Sequence, residues 1–183
     1  MKFRDTEYGD LSGQVYSNKI SCRDKQLTSL NGAPIEVGGY FDCNNNQLTS
    51  LKGAPKEVRG DFHCNNNQLT SLEGAPQKVG GYFVCSNNQL TSLEGALERV
   101  GGDFYCRTND NLHSLLPLKL CRIGGTIVCD DRLQYQIPLL KSCETEDDFA
   151  VQAYLGTDDE SIRKYFADNY DSVAVYVAID EIF

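Results

Sequence analysis

Cysteines stand at positions 22, 43, 64, 85 and 106, each 21 residues after the last, and Cys129 follows after 23 more. A fixed period of this kind constrains the fold more than any single motif. The flanking residues repeat with it: Cys43 opens CNNNQLTSLKGAPKEVRGDFH, Cys64 opens CNNNQLTSLEGAPQKVGGYFV, and Cys85 opens CSNNQLTSLEGALERVGGDFY. The copy at Cys22 diverges slightly, and the copy at Cys106 is degenerate and two residues longer, yet returns to the pattern through Ile123 and Cys129. Residues 22–129 therefore read as five tandem units of 21–23 residues. One unit cannot bury its apolar edge alone, so such an array must fold through contacts between neighbours.

Within each unit, V-G-G-Y-F-D-C reads as a turn leading into a short strand with alternating side chains. Phe41 and Cys43 then point inward, while Tyr40, Asp42 and Asn44 point out. Stacked in parallel about 4.8 Å apart, the units predict one sheet of roughly six strands, with ladders of cysteine, phenylalanine and leucine inside. Asn46, Asn67, Asn88 and Asn109 predict a ladder of buried amides that satisfies backbone groups left over where the chain bends. Gly38-Gly39, Gly80-Gly81 and Gly101-Gly102 read as turn glycines at positive φ. Pro34, Pro55 and Pro76 fall in the connection on the far side, where no ladder N–H is required.

The segment F-x-C-x-x-N-x-L-x-x-L, as in Phe41, Cys43, Asn46, Leu48 and Leu51, resembles the conserved part of leucine-rich repeats, with Phe and Cys where Leu is commoner. The short unit and its Gly-Ala-Pro look like the compact bacterial type. The phrase NNQLTSLEGAP is similar to repeats encoded by bacteriophages and other large viruses. The resemblance covers about residues 14–130. It implies an α/β solenoid whose outward strand face meets partners, and it carries no activity.

On that face the positions flanking Phe and Cys vary between units while the rest barely change. They include Tyr40, Asp42, Asp61, His63, Tyr82, Val84, Asp103, Tyr105 and Arg107, and three central tyrosines suit a protein-recognition surface. These residues form the expected partner-binding site.

Residues 1–21 read as an N-terminal cap and first strand, with Phe3, Tyr8, Leu11, Val15 and Tyr16 available to cover the first rung. Residues 130–183 break the repeat and read as a mixed α/β, mainly helical cap. Thr145 precedes a helix ending at Gly156, Thr157–Glu160 reads as a capping box, and 172–179 suits a strand or a short helix. The formal charge of −9 belongs to this cap: residues 1–129 hold 13 basic and 13 acidic residues, residues 130–183 hold 4 and 13. Asp147, Asp148, Asp158, Asp159 and Glu160 are candidate acidic contacts, helix-start chemistry being their other reading.

The cysteine intervals are too long for zinc-ligand pairs, and only His63 and His113 could serve a cysteine as base. The Gly-Gly turns lack the Lys-Ser/Thr of a phosphate loop. We therefore expect no catalytic residues, no metal and no cofactor. The acidity argues against coating nucleic acid, and no stretch approaches a membrane span. The expected protein is a cytoplasmic, non-enzymatic binding module for another protein, in the manner of a phage inhibitor of a host enzyme. An acidic nucleic-acid mimic acting through the cap, or a structural virion component, are the alternatives.

Overall fold

The structure is a computed structural model and describes residues 1–95 and 97–173. The repeat folds as a solenoid in which each unit contributes two strands of two residues rather than one. One sheet stacks β1 (Val15–Tyr16), β3 (Glu36–Val37), β5 (Glu57–Val58), β7 (Lys78–Val79), β9 (Arg99–Val100) and β11 (Arg122–Ile123) in that order. The other stacks β2 (Ile20–Ser21), β4 (Phe41–Asp42), β6 (Phe62–His63), β8 (Phe83–Val84), β10 (Phe104–Tyr105) and β12 (Ile127–Val128). All pairings are parallel and in phase, so Phe41 sits on Phe62, Phe62 on Phe83 and Phe83 on Phe104. Their rings stack with centroids 5.2–5.6 Å apart.

The first of these sheets was not expected. Its Val37, Val58, Val79 and Val100 are buried, whereas Glu36, Glu57, Lys78 and Arg99 face outward. A pair of residues between two turns is too short to show alternation, which is why the strand was hidden. The Gly-Gly pairs between the two sheets are corners, and the expectation of positive φ fails for them. Positive φ occurs instead at Gly32, Gly53, Gly74 and Gly95, and at Asn45, Asn66 and Asn87. The corner glycines are required by crowding: a Cβ on Gly80 would land on the carbonyl oxygen of Arg59, and one on Gly101 on that of Gly80.

The amide ladder forms as its spacing predicts. Asn67 donates through Nδ2 to the carbonyls of Cys43 and Cys64, both at 3.1 Å, and accepts the Leu48 N–H at 3.0 Å. Asn46, Asn88 and Asn109 repeat the pattern. All six cysteines in phase are buried free thiols, while Cys121 and Cys143 lie off the ladder and are half-buried.

At the first rung Phe3 is buried and stacks on Phe41 at 6.1 Å, while Val15 and Tyr16 form a strand of the array rather than a lid. At the other end a 3-10 turn (Leu116–Leu120) leads to the last rung, followed by α1 (Gln136–Ser142), α2 (Glu146–Leu155) and α3 (Glu160–Asn169). α1 was missed, since seven residues carry too little helical periodicity. The helix expected after Thr145 is α2, and Thr145 opens it with a capping box. The capping box expected at Thr157 is not formed: Asp159 is the N-cap of α3, accepting the N–H groups of Ser161 and Ile162, and Thr157 accepts the Asp159 N–H instead. Residues 174–179 of the segment read as strand or helix lie outside the described residues.

Arg132 ends the amide ladder. It occupies the asparagine's phase and donates to the carbonyls of Asn109, Asp110 and Leu112 at 2.6–3.2 Å. Buried Gln136 completes the seal by accepting the Leu115 N–H and donating to the His113 carbonyl.

Candidate functional site

The outward face of the second sheet brings the nine nominated residues onto consecutive strands, with Asp42 beside His63, His63 beside Val84 and Val84 beside Tyr105. Tyr82 is open to solvent, with 47% exposure. Its ring meets that of Tyr105 edge-on at 6.0 Å, and Lys19 Nζ lies 5.5 Å from the centre of the Tyr40 ring. His63 Nε2 stands 3.9 Å from an Asp61 carboxylate oxygen. Arg107 is exposed and donates to the Cys129 carbonyl at 3.2 Å.

Two of the acids on this face are structural. The position before Phe alternates Tyr40, Asp61, Tyr82, Asp103, Thr126. Asp61 Oδ1 accepts the Tyr82 N–H at 2.7 Å, and Asp103 Oδ1 accepts the Thr126 N–H at 2.8 Å. The Asp61 and Asp103 carboxylates lie where a Cβ on Gly81 or Gly125 would stand, so these acids share in the crowding that keeps the corner position glycine. Asp103 Oδ2 in addition accepts the Tyr105 hydroxyl at 2.9 Å. The Thr126 N–H and that hydroxyl hold the Asp103 carboxyl below its ordinary value, and the same bond raises the Tyr105 phenol. Tyr105 is thus held upright by Asp103, while Tyr82 is tethered only through its backbone.

What the face offers chemically is a central pair of tyrosines, a valine floor and mixed charge at the rim. The ladder thiols behind the face are pushed up by burial, Cys22 to about 12, and so are far from thiolate character.

The candidate acidic contacts in the cap fall into two groups. Asp148 accepts the Thr145 N–H, Asp147 accepts the Ser172 hydroxyl and Asp159 caps α3, its carboxyl lowered chiefly by the Ser161 hydroxyl. Asp158 and Glu160, on either side of Asp159, are exposed. Among the described residues no helix is long and apolar enough to cross a membrane.

Comparison of the chain with protein-family models, with curated proteins and with solved structures found no match.

Proposed function

We propose that the chain is a leucine-rich-repeat module of the compact, phage-like type, without enzymatic activity, that binds another protein through the Tyr40–Tyr82–Tyr105 face. The observation that carries this reading is the edge-to-face pair of Tyr82 and Tyr105 at the middle of a rigid sheet, with Tyr82 open to solvent. Tyrosine gives large contact area at low conformational cost, and a preorganised strand face loses little entropy on binding. The unit-to-unit variation at these positions, against near-identity elsewhere, further supports recognition. Inhibition of a host enzyme in the cytoplasm is the role that best fits such a module.

The acidic-mimic alternative is less well supported, because Asp147, Asp148 and Asp159 already serve the cap's own backbone and side chains. The test is affinity capture from host lysate with wild-type protein and with the Tyr40→Ala/Tyr82→Ala/Tyr105→Ala variant. A protein retained by the first and lost by the second is the expected result. Equal capture by a variant with native circular dichroism would overturn the assignment, and capture lost only on raising salt would favour the cap.

A further inference from the structure

The last rung of the solenoid is left unpaired in a way that no earlier rung is. In the first sheet each unit's carbonyls accept from the next: Ile35 from Lys56, Val37 from Arg59, Val58 from Gly80, Val79 from Gly101, Val100 from Gly124, and Gly102 from Gly125. β11 has no successor, so the carbonyls of Cys121, Ile123 and Gly125 meet no hydrogen-bond donor among the described residues. Cys121 and Ile123 present theirs two residues apart, as along a strand edge, whereas Gly125 lies beyond the Gly-Gly corner. The second sheet runs with the opposite polarity, Phe83 N–H to Asp103 and Phe104 N–H to Thr126, so Ile127 is left with a free donor.

The same four residues line a cleft of about 420 Å³ between the last rung and α1. Its walls are apolar, with Ile137 and Leu140 of α1 opposite Ile123 and Ile127. Ile123 and Ile127 are only half-buried, although Val79, Val100, Phe83 and Phe104 in the same columns are no more than 1% exposed. The columns of the core thus run on into the cleft without their last member.

Charge sets the chemistry of what belongs there. Lys78 pairs in register with Arg99, and Arg99 with Arg122, giving three stacked, exposed cations that reach the edge. None of them makes an ion pair among the described residues. Lys119 and Lys141 also line the cleft and no carboxylate does. Like charges directly opposite one another on neighbouring strands are unfavourable, and an acidic residue added beyond Arg122 would relieve the column.

We propose that this edge docks an extended, carboxylate-bearing segment of another protein as one further strand. Its alternate N–H groups bond the carbonyls of Cys121 and Ile123, its inward side chains are apolar and fill the cleft, and its outward carboxylates face Arg122, with Lys141 adding positive charge beside the cleft. Strand addition of this kind takes affinity from the main chain and specificity from alternate side chains. A single-stranded nucleic acid fits poorly, since it lacks a donor ladder and the cleft has no aromatic ring on which to stack bases. The site is separate from the tyrosine face and does not depend on it.

The full-length protein is titrated with a labelled peptide Glu-Val-Thr-Val-Glu-Val, read by fluorescence anisotropy, with Lys-Val-Thr-Val-Lys-Val and oligothymidylate as comparisons. The acidic peptide binds, the other two bind at least about tenfold more weakly, and Arg122→Glu/Lys141→Glu weakens the acidic peptide by about tenfold or more. Both substituted side chains are exposed, so the fold is retained. Amide exchange by NMR locates the contact: alternate N–H groups of the acidic peptide exchange fast in the free peptide and slow when the protein is present. The proposal is overturned by equal binding of the lysine peptide, by preferred binding of oligothymidylate, or by binding that leaves the peptide's N–H exchange unchanged. It is also overturned if the acidic peptide does not bind, whether because a second copy seen in sedimentation or the chain itself already covers the edge.

Discussion

Asn67 makes four hydrogen bonds from one side-chain amide, to the carbonyls of Cys43, Cys64 and Asn65 and from the Leu48 N–H. Three of these bind main-chain groups that have turned out of the sheets into a dry interior. Removing the amide strands them, and each buried unsatisfied group costs about 1–3 kcal/mol. Asn67→Ala should therefore lose about 3–5 kcal/mol in urea unfolding, and a loss under about 1 kcal/mol would contradict this account. The role of Asn67 was legible in the sequence because an asparagine at a 21-residue interval inside an apolar pattern has few other uses. The structural part played by Asp61 and Asp103 was not legible, for the opposite reason. Their function depends on an N–H in the following unit, which no local pattern shows. The signal lay in the alternation of Tyr and Asp across units.

At the scale of an element, the cysteine ladder ties stability to pH. Burial raises the thiols of Cys22, Cys43, Cys64, Cys85 and Cys106, with Cys22 pushed up to about 12. In the unfolded chain the same thiols titrate near 8.5. The folded state thus holds protons that the unfolded state releases, so this stability is full below about pH 8.5 and is lost as pH rises through the gap. Each thiol adds a slope of about 1.4 kcal/mol per pH unit there, and five act together. The urea midpoint should stay level from about pH 7 to 8.5 and fall steeply by about pH 10, and Cys64→Ala should reduce that slope by one thiol's share. A midpoint still level at about pH 10.5 would refute the ladder's part in it. The ladder was readable from spacing alone. The sheet formed by β3, β5, β7 and β9 was not, because a two-residue strand between a bend and a glycine corner leaves no periodicity to detect. The same limit hid α1 and, with it, the cleft at the open end.

For the whole molecule, the array behaves as units joined only to their neighbours, so units can be removed if the register survives. Deleting residues 65–85 joins Cys64 to Ser86 and keeps every ladder in phase, since one 21-residue period is lost. It also brings Asp61 onto Asp103, where the native chain sets Tyr82 between them. Deleting residues 44–85 removes two periods and leaves Tyr40 next to Asp103, the neighbour relation that Tyr82 and Asp103 have natively. Stacked carboxylates repel, which raises the folded pKa of one of them above its unfolded value. That contribution to stability is then present at low pH and lost as pH rises through the carboxylate range. Relative to the two-unit deletion, the one-unit deletion should therefore gain about 1 kcal/mol on going from about pH 7 to pH 4.5. Urea unfolding of both proteins at the two pH values is the measurement. A parallel response of the two would mean that the Tyr–Asp alternation plays no part in matching one rung to the next, and that the face is free to vary at that position too.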